Sequence, residues 1–148
     1  MVRLRMWRPA ALGALGLCLA SVVAGCGKPY EIGEVEGVIT IDGKPLPQAR
    51  VEFHPDAENG TKGPSSGAET DEQGRFKLTY YLPNASAPLD GAVVGKHKVL
   101  VFDLKVAADS TGATRLRFAP SYTQIGTTPL TKEVKPGKQT IEIELNAR

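Results

Sequence analysis

Glu34-Val35-Glu36-Gly37-Val38-Ile39-Thr40-Ile41-Asp42-Gly43 sets the pattern on which the rest of the chain is written. Val35, Gly37, Ile39 and Ile41 fall on one face, with Glu34, Glu36 and Thr40 on the other. That period of two belongs to a strand buried on one side. Asp42-Gly43 ends the run, a dipeptide that readily takes the positive φ angles of a tight hairpin turn. Pro45 and Pro47 keep the next residues extended and out of a ladder interior. Arg50-Val51-Glu52-Phe53-His54 then alternates again, with Val51 and Phe53 inward.

The same grammar continues downstream. Residues 56–67, rich in Gly, Asn, Pro and Ser, read as a long exposed loop. Glu69-Thr70 is a brief strand, and Asp71-Glu72-Gln73-Gly74 is a turn. Residues 75–81 form a strand that buries Phe76, Leu78 and Tyr80, and 83–91 a second loop. Residues 96–103 carry Val99 and Val101 on one face, Leu100 and Phe102 on the other. Apolar character on both faces places that strand centrally in its sheet. Residues 107–126 are polar, a long loop with one irregular strand. Thr131–Lys135 is a short strand, Pro136-Gly137 a turn, and Ile141, Ile143 and Leu145 alternate with Glu142 and Glu144 in a last strand. Many short strands divided by turns, without helical periodicity, predict an all-β sandwich.

Three stretches together carry a family resemblance: Gly37–Pro47, Ala49-Arg50-Val51-Glu52-Phe53, and Thr70-Asp71-Glu72-Gln73-Gly74-Arg75-Phe76. They resemble the carboxypeptidase regulatory-like domain, which implies a transthyretin-like (prealbumin-like) seven-stranded β-sandwich. Asp90–Val99, Thr127-Thr128-Pro129-Leu130 and Val134-Lys135-Pro136-Gly137 are similar to small lipoproteins predicted in planctomycete bacteria. These motifs are turns and strand starts that topology demands, so they speak for fold and not for activity. Hydroxyisourate hydrolases share the prealbumin-like fold but use histidines, an arginine and a Tyr-Arg-Gly-Ser tail. This chain has Leu145-Asn146-Ala147-Arg148 instead, and the contexts of His54 and His97 do not match.

The N-terminal stretch speaks of location. Arg3, Arg5 and Arg8 form a basic head, and Ala10–Ala24 an apolar run too short for a well-flanked membrane span. Val23-Ala24-Gly25-Cys26 then resembles a bacterial lipobox, which implies cleavage between Gly25 and Cys26 and acylation (diacylglyceryl and palmitate-type chains) of Cys26. More than one chain gives a stable anchor. Gly27, where an aspartate would favour retention at an inner membrane, favours the outer membrane. The expected organisation is a signal peptide over 1–25, a lipidated N-terminus and linker over 26–33, and the sandwich over 34–148.

Composition narrows the function classes. Lys and Arg number 18 against 16 Asp and Glu; without the three signal arginines the balance is 15 to 16. A near-neutral domain has no basic field for nucleic acid. Cys18 lies in the signal, so Cys26 stands alone, leaving no disulfide and no cysteine-built zinc site.

Catalytic candidates are thin. Ser65 and Ser66 sit in a Gly/Pro-rich loop without a nucleophile elbow, and no His-Glu-x-x-His helix occurs. His54 at a strand end and His97 between two lysines read as one exposed and one half-buried imidazole rather than a metal pair. Asp42, Asp71, Glu72, Asp90 and Asp103 lie at turns without D-x-D-x-D spacing, so calcium, if bound, would be structural. Tyr80 and Tyr81 point to opposite faces, leaving one ring free, with Tyr122 in a loop as another candidate for a sugar platform. Gly60, Gly63 and Gly67 lack a strand-to-helix context for phosphate. The expectation is a non-catalytic module with no cofactor and no metal, held at a membrane by Cys26 and contacting an envelope protein. The alternatives are binding of a glycan or other small ligand, and service to an envelope hydrolase.

Overall fold

The computed structural model describes residues 30–105, 107–108 and 114–147. The expected signal, the Gly25–Cys26 cleavage, the acylated Cys26 and the beginning of the linker lie outside the described residues. Within them the chain is all-β, with short 3-10 turns at Ala57–Asn59 and Pro120–Thr123 and no α-helix.

Strand β1 (Ile32–Ile41) is the spine of the first sheet. Its partners are β2 (Lys44–Pro45), β5 (Arg75–Lys77), β8 (Ala92–Val93) and β13 (Gly137–Leu145). β13 runs parallel to β1 along its length, from Gly33 opposite Gly137 to Ile41 opposite Leu145. The other edge of β1 is shared in turn by β8, β5 and β2, all antiparallel. The Asp42-Gly43 turn has φ of 48° and 75°, as its composition demands, and pairs Ile41 with Lys44.

The second sheet is antiparallel. It comprises β3 (Ala49–Pro55), β4 (Ser66–Glu69), β6 (Thr79–Tyr80), β7 (Leu89–Asp90), β9 (Gly95–Asp103) and β12 (Thr131–Val134). Its order is β12-β9-β3-β4-β6-β7, so β9 is interior, as its two apolar faces require. A separate small ladder joins β10 (Ala107–Ala108) to β11 (Thr114–Arg115).

The two sheets face each other across one core, the arrangement of a β-sandwich. Val35, Ile39, Phe76, Ile143 and Leu145 come from the first sheet; Val51, Phe53, Val99, Val101 and Val134 come from the second. The Phe53 and Phe76 rings meet across it, centroids 6.4 Å apart. Burial of each such side chain contributes about 1.5–3 kcal/mol.

Four segments depart from the expected pattern. The expected strand over 75–81 is two pieces: β5 joins the first sheet and β6 the second, with the chain crossing between them at buried Leu78. There the Leu78 amide donates to Val35 and its carbonyl accepts from Gly91, at 2.9 and 2.8 Å. The 56–67 loop is shorter than its composition suggests, since Ser66 already begins β4. At Thr70 the ladder is half made: its amide still donates to the Ala49 carbonyl (2.8 Å), but the Ala49 amide donates to the Thr70 hydroxyl (3.0 Å), which in turn donates to the Leu46 carbonyl (2.8 Å). The 83–91 loop closes with the two-residue strand β7, which adds an edge to the second sheet.

Candidate functional site

Arg50, Glu52 and His54 occupy alternate positions of β3, with Val51 and Phe53 between them in the core. The three therefore share the outer face of the second sheet. Arg50 Nε donates to Glu52 Oε1 at 2.9 Å, and the other carboxylate oxygen lies 3.0 Å from His54 Nε2. Because Glu52 only accepts, Nε2 carries the imidazole proton. Nδ1 then has a free lone pair, which accepts from the Ser65 hydroxyl at 3.1 Å. Ser65 reaches this position through the 56–65 loop. That loop is folded by Asp56, whose carboxylate accepts from the Glu58 amide and the Asn59 side chain, and by Thr61, which accepts from the Lys96 amide.

Beside this row runs an open groove of about 320 Å³. Its floor is Gly67, which lies opposite Glu52 on one side and Thr79 on the other. The missing side chain at Gly67 makes the depression. Glu69 lines it together with Tyr81, whose ring is 67% exposed.

Carboxylate, imidazole and hydroxyl in series is the order in which a base activates a nucleophile. Two features oppose that use here. Arg50 neutralises the carboxylate that would steady an imidazolium. The side chains of Glu52 and His54 keep 25% and 28% of their surface in water, where such electrostatics are weak. As built, the row braces the outer face of β3 against the 56–65 loop and offers an incoming ligand acceptors, a cation and an aromatic ring.

His97 is on the other side of the sheet. It is fully buried rather than half-buried, with its ring 5.8 Å from that of Phe53. Its Nε2–H donates to the Val93 carbonyl at 2.7 Å, while Nδ1 is buried without a partner. Burial pushes its pKa below the usual imidazole range, against the pull of the Val93 carbonyl. With the two imidazoles on opposite faces of the sheet, His54 and His97 do not converge on one ion. Among the described residues no three His, Cys, Asp or Glu side chains converge as metal ligands.

The aspartates divide by task. Asp71 Oδ1 accepts from the amides of Gln73 and Arg75, which makes the turn before β5. Asp42 accepts from the Ala147 amide, and Asp90 pairs with Lys77. Asp103 does more than turn the chain. Its carboxylate is wholly buried and accepts from Arg117 Nη2 at 2.6 Å, from Arg117 Nε at 3.0 Å, and from the Arg117 and Lys105 amides. Burial would raise its pKa, but the hydrogen bonds from Arg117 outweigh burial and hold it below the usual carboxylate value. Arg117 also donates to the Pro47 and Gln48 carbonyls, at 2.8 and 3.0 Å. Tyr80 is buried and Tyr81 free, as their adjacency requires, and Tyr122 packs edge-on against Phe118 in the core.

No protein-family profile and no curated protein matches the chain. Among solved structures, a 9R-lipoxygenase from Cyanothece PCC8801 aligns over 75% of this chain and 16% of its own length. The identity is 21% and the TM-score 0.34, too low to bear on fold or activity. The chain thus spans about a sixth of that enzyme.

Proposed function

We propose that this chain is a lipid-anchored, non-catalytic module of the cell envelope, acylated at Cys26, whose sandwich contacts an envelope protein. The observation that carries this is Val23-Ala24-Gly25-Cys26 directly after a basic head and a short apolar run. The anchor belongs to the outer membrane, in keeping with Gly27, and the fold to the carboxypeptidase regulatory-like, transthyretin-like class with seven principal strands. In support, seven of the eight stretches expected as strands, all but the irregular one within 107–126, overlap or abut a strand of the two facing sheets, and the remaining strands, β2, β7, β8, β10 and β11, have two residues each. Among the described residues no helix is long and apolar enough to cross a membrane. Tethering confines the sandwich to a plane and raises its concentration near membrane partners.

The test compares the wild-type chain with Cys26→Ser by membrane flotation, mass spectrometry of the N-terminal peptide and in-cell crosslinking. The expected result is a diacylglyceryl-modified Cys26, loss of flotation in the variant, and a crosslinked partner seen only with the anchored form. A Cys26→Ser chain that still floats overturns the anchor.

A second reading is favoured by the groove over Gly67: binding of a glycan stacked on Tyr81. A sugar that raises the thermal midpoint of wild type but not of Tyr81→Ala supports it. The Ser65 row gives the non-catalytic reading its own test. A fluorophosphonate probe is expected to leave Ser65 unlabelled, and labelling that disappears in His54→Ala would make this chain a hydrolase.

A further inference from the structure

The tether enters at one end of the sandwich, and the strand registers say what else is there. Gly33 lies beside Gly137, so the Lys135–Lys138 turn is at this end. The Glu31 carbonyl accepts from the Val94 amide, and Tyr30 packs against Gly63. Lys96 is bonded to Thr61, which brings in the 56–65 loop. Ser66, which opens β4, lies opposite Tyr80, and Tyr80 opposite Leu89. Tyr81 and Leu89 therefore share this pole, 67% and 36% exposed. The Asp42-Gly43 turn, the Asp71–Gly74 turn and Leu104 lie at the far ends of the same strands.

We propose that the pole bearing Tyr81 and Leu89 rests in the headgroup layer of the bilayer that holds the anchor, so that the sandwich stands on it with the Asp42-Gly43 and Asp71–Gly74 turns pointing away. This rests on acylation of Cys26. Ile32 is the sixth residue after Cys26, and fully extended that stretch reaches about 20 Å, less than the roughly 33 Å spanned by the 10 residues of β1, so the sandwich stays close to its anchor. Tyrosine, with an apolar ring and a polar tip, favours the membrane interface, and Leu89 adds apolar surface beside it. Charges at this pole and in the tether nearly balance: Lys28, Lys62, Lys96, Lys135 and Lys138 against Glu31, Asp56, Glu58 and Glu133, with Lys138 already paired to Glu36. Contact therefore needs no anionic lipid and resists salt, unlike polybasic docking. The short tether holds the pole at an effective concentration of about a millimolar or more, so a weak interfacial contact suffices.

Trp7, in the signal, is the sole tryptophan of the chain, so single reporters are available in a Trp7→Phe background. The full-length protein carrying Tyr81→Trp or Leu104→Trp is expressed, and its lipid-bearing form reconstituted in phosphatidylcholine vesicles brominated near the headgroup. The Tyr81→Trp reporter is expected to be quenched several-fold more than Leu104→Trp, with the difference kept at tenfold higher salt. Equal quenching, or quenching lost with salt, overturns the proposal while leaving the anchor intact. A wild-type chain that does not float with the vesicles overturns the anchor and this proposal together.

Discussion

Arg117 ties its own segment to two others with one guanidinium: the end of β9 through Asp103, and the Pro47-Gln48 link through two carbonyls. Gln48 needs that grip, since its φ of 52° is unfavourable for a residue with a side chain. Arg117→Ala leaves the buried Asp103 carboxylate without its charge partner, and is expected to cost roughly 3 kcal/mol in urea denaturation at pH 7, the low end for a broken buried pair because Arg117 itself is partly in water. Acid should act in two windows. His97 takes a proton near pH 6.5 when unfolded but resists it when buried, so its contribution is whole above about pH 6.5 and is lost as pH falls from there toward its lowered folded value. Asp103, held below its unfolded value of about 3.9, contributes above that pH and loses its share as pH falls through its folded value. Stability measured at pH 7, 6 and 5 should fall for wild type, by at most about 1.4 kcal/mol per unit from this one group, and stay flatter for His97→Leu. Parallel curves for the two proteins would mean that His97 does not titrate between its folded and unfolded states. Neither residue announced itself in the sequence. Asp103 reads as a turn aspartate, and its partner is fourteen positions away across a loop.

At the scale of elements, Gly37 shows how one absent side chain sets a sheet. It lies between Ile141 of β13 and Phe76 of β5, and a Cβ built there would run first into the Ile141 carbonyl oxygen and then into the Phe76 ring, 2.7 Å from Cε1. Its backbone is ordinary strand, so the requirement is space, for the β13 carbonyl as well as for the ring. Gly37→Ala should cost about 1–3 kcal/mol through overpacking, and adding Phe76→Leu should recover part of that loss, so that the double variant is more stable than the sum of the singles predicts. Strict additivity in denaturant would show that the Ile141 carbonyl of β13, and not the ring, is what Gly37 accommodates. The alternation around Gly37 made β1 legible, as it did β3, β9, β12 and β13, because each buries one face or, in β9, both. Ser66-Gly67-Ala68-Glu69 has too weak an alternation to reveal β4, and the break at Leu78 is invisible because Phe76, Leu78 and Tyr80 point inward whether or not the chain changes sheets. The site was half legible for the same reason. Period two alone puts Arg50, Glu52 and His54 on one face, but the arrival of Ser65 depends on hydrogen bonds inside the 56–65 loop, which leave no periodic trace.

For the whole molecule, the decisive contact joins strands from opposite ends of the chain. β1 and β13 pair in parallel over nine register positions, from Gly33–Gly137 to Ile41–Leu145. Parallel neighbours need a long connection, and here that connection is nearly the entire sandwich. No local pattern in either strand names the other as partner, which is why this pairing could not be read from the residues. Its energetic consequence follows from what β13 covers. Ile141, Ile143 and Leu145 are buried against the core that Val35 and Ile39 also fill. Without β13 the full edge of β1 loses its ladder, and those apolar faces meet water. Three large side chains at about 1.5–3 kcal/mol each, before any lost hydrogen bond, amount to most or all of a typical domain's net stability. A chain ending at Pro136 should therefore fail to fold, rather than form a slightly weaker sandwich. Near-ultraviolet circular dichroism and amide dispersion in NMR check this. A truncated chain with native dispersion and a cooperative melt would show that the second sheet and its loops suffice alone, and that β13 only seals an edge.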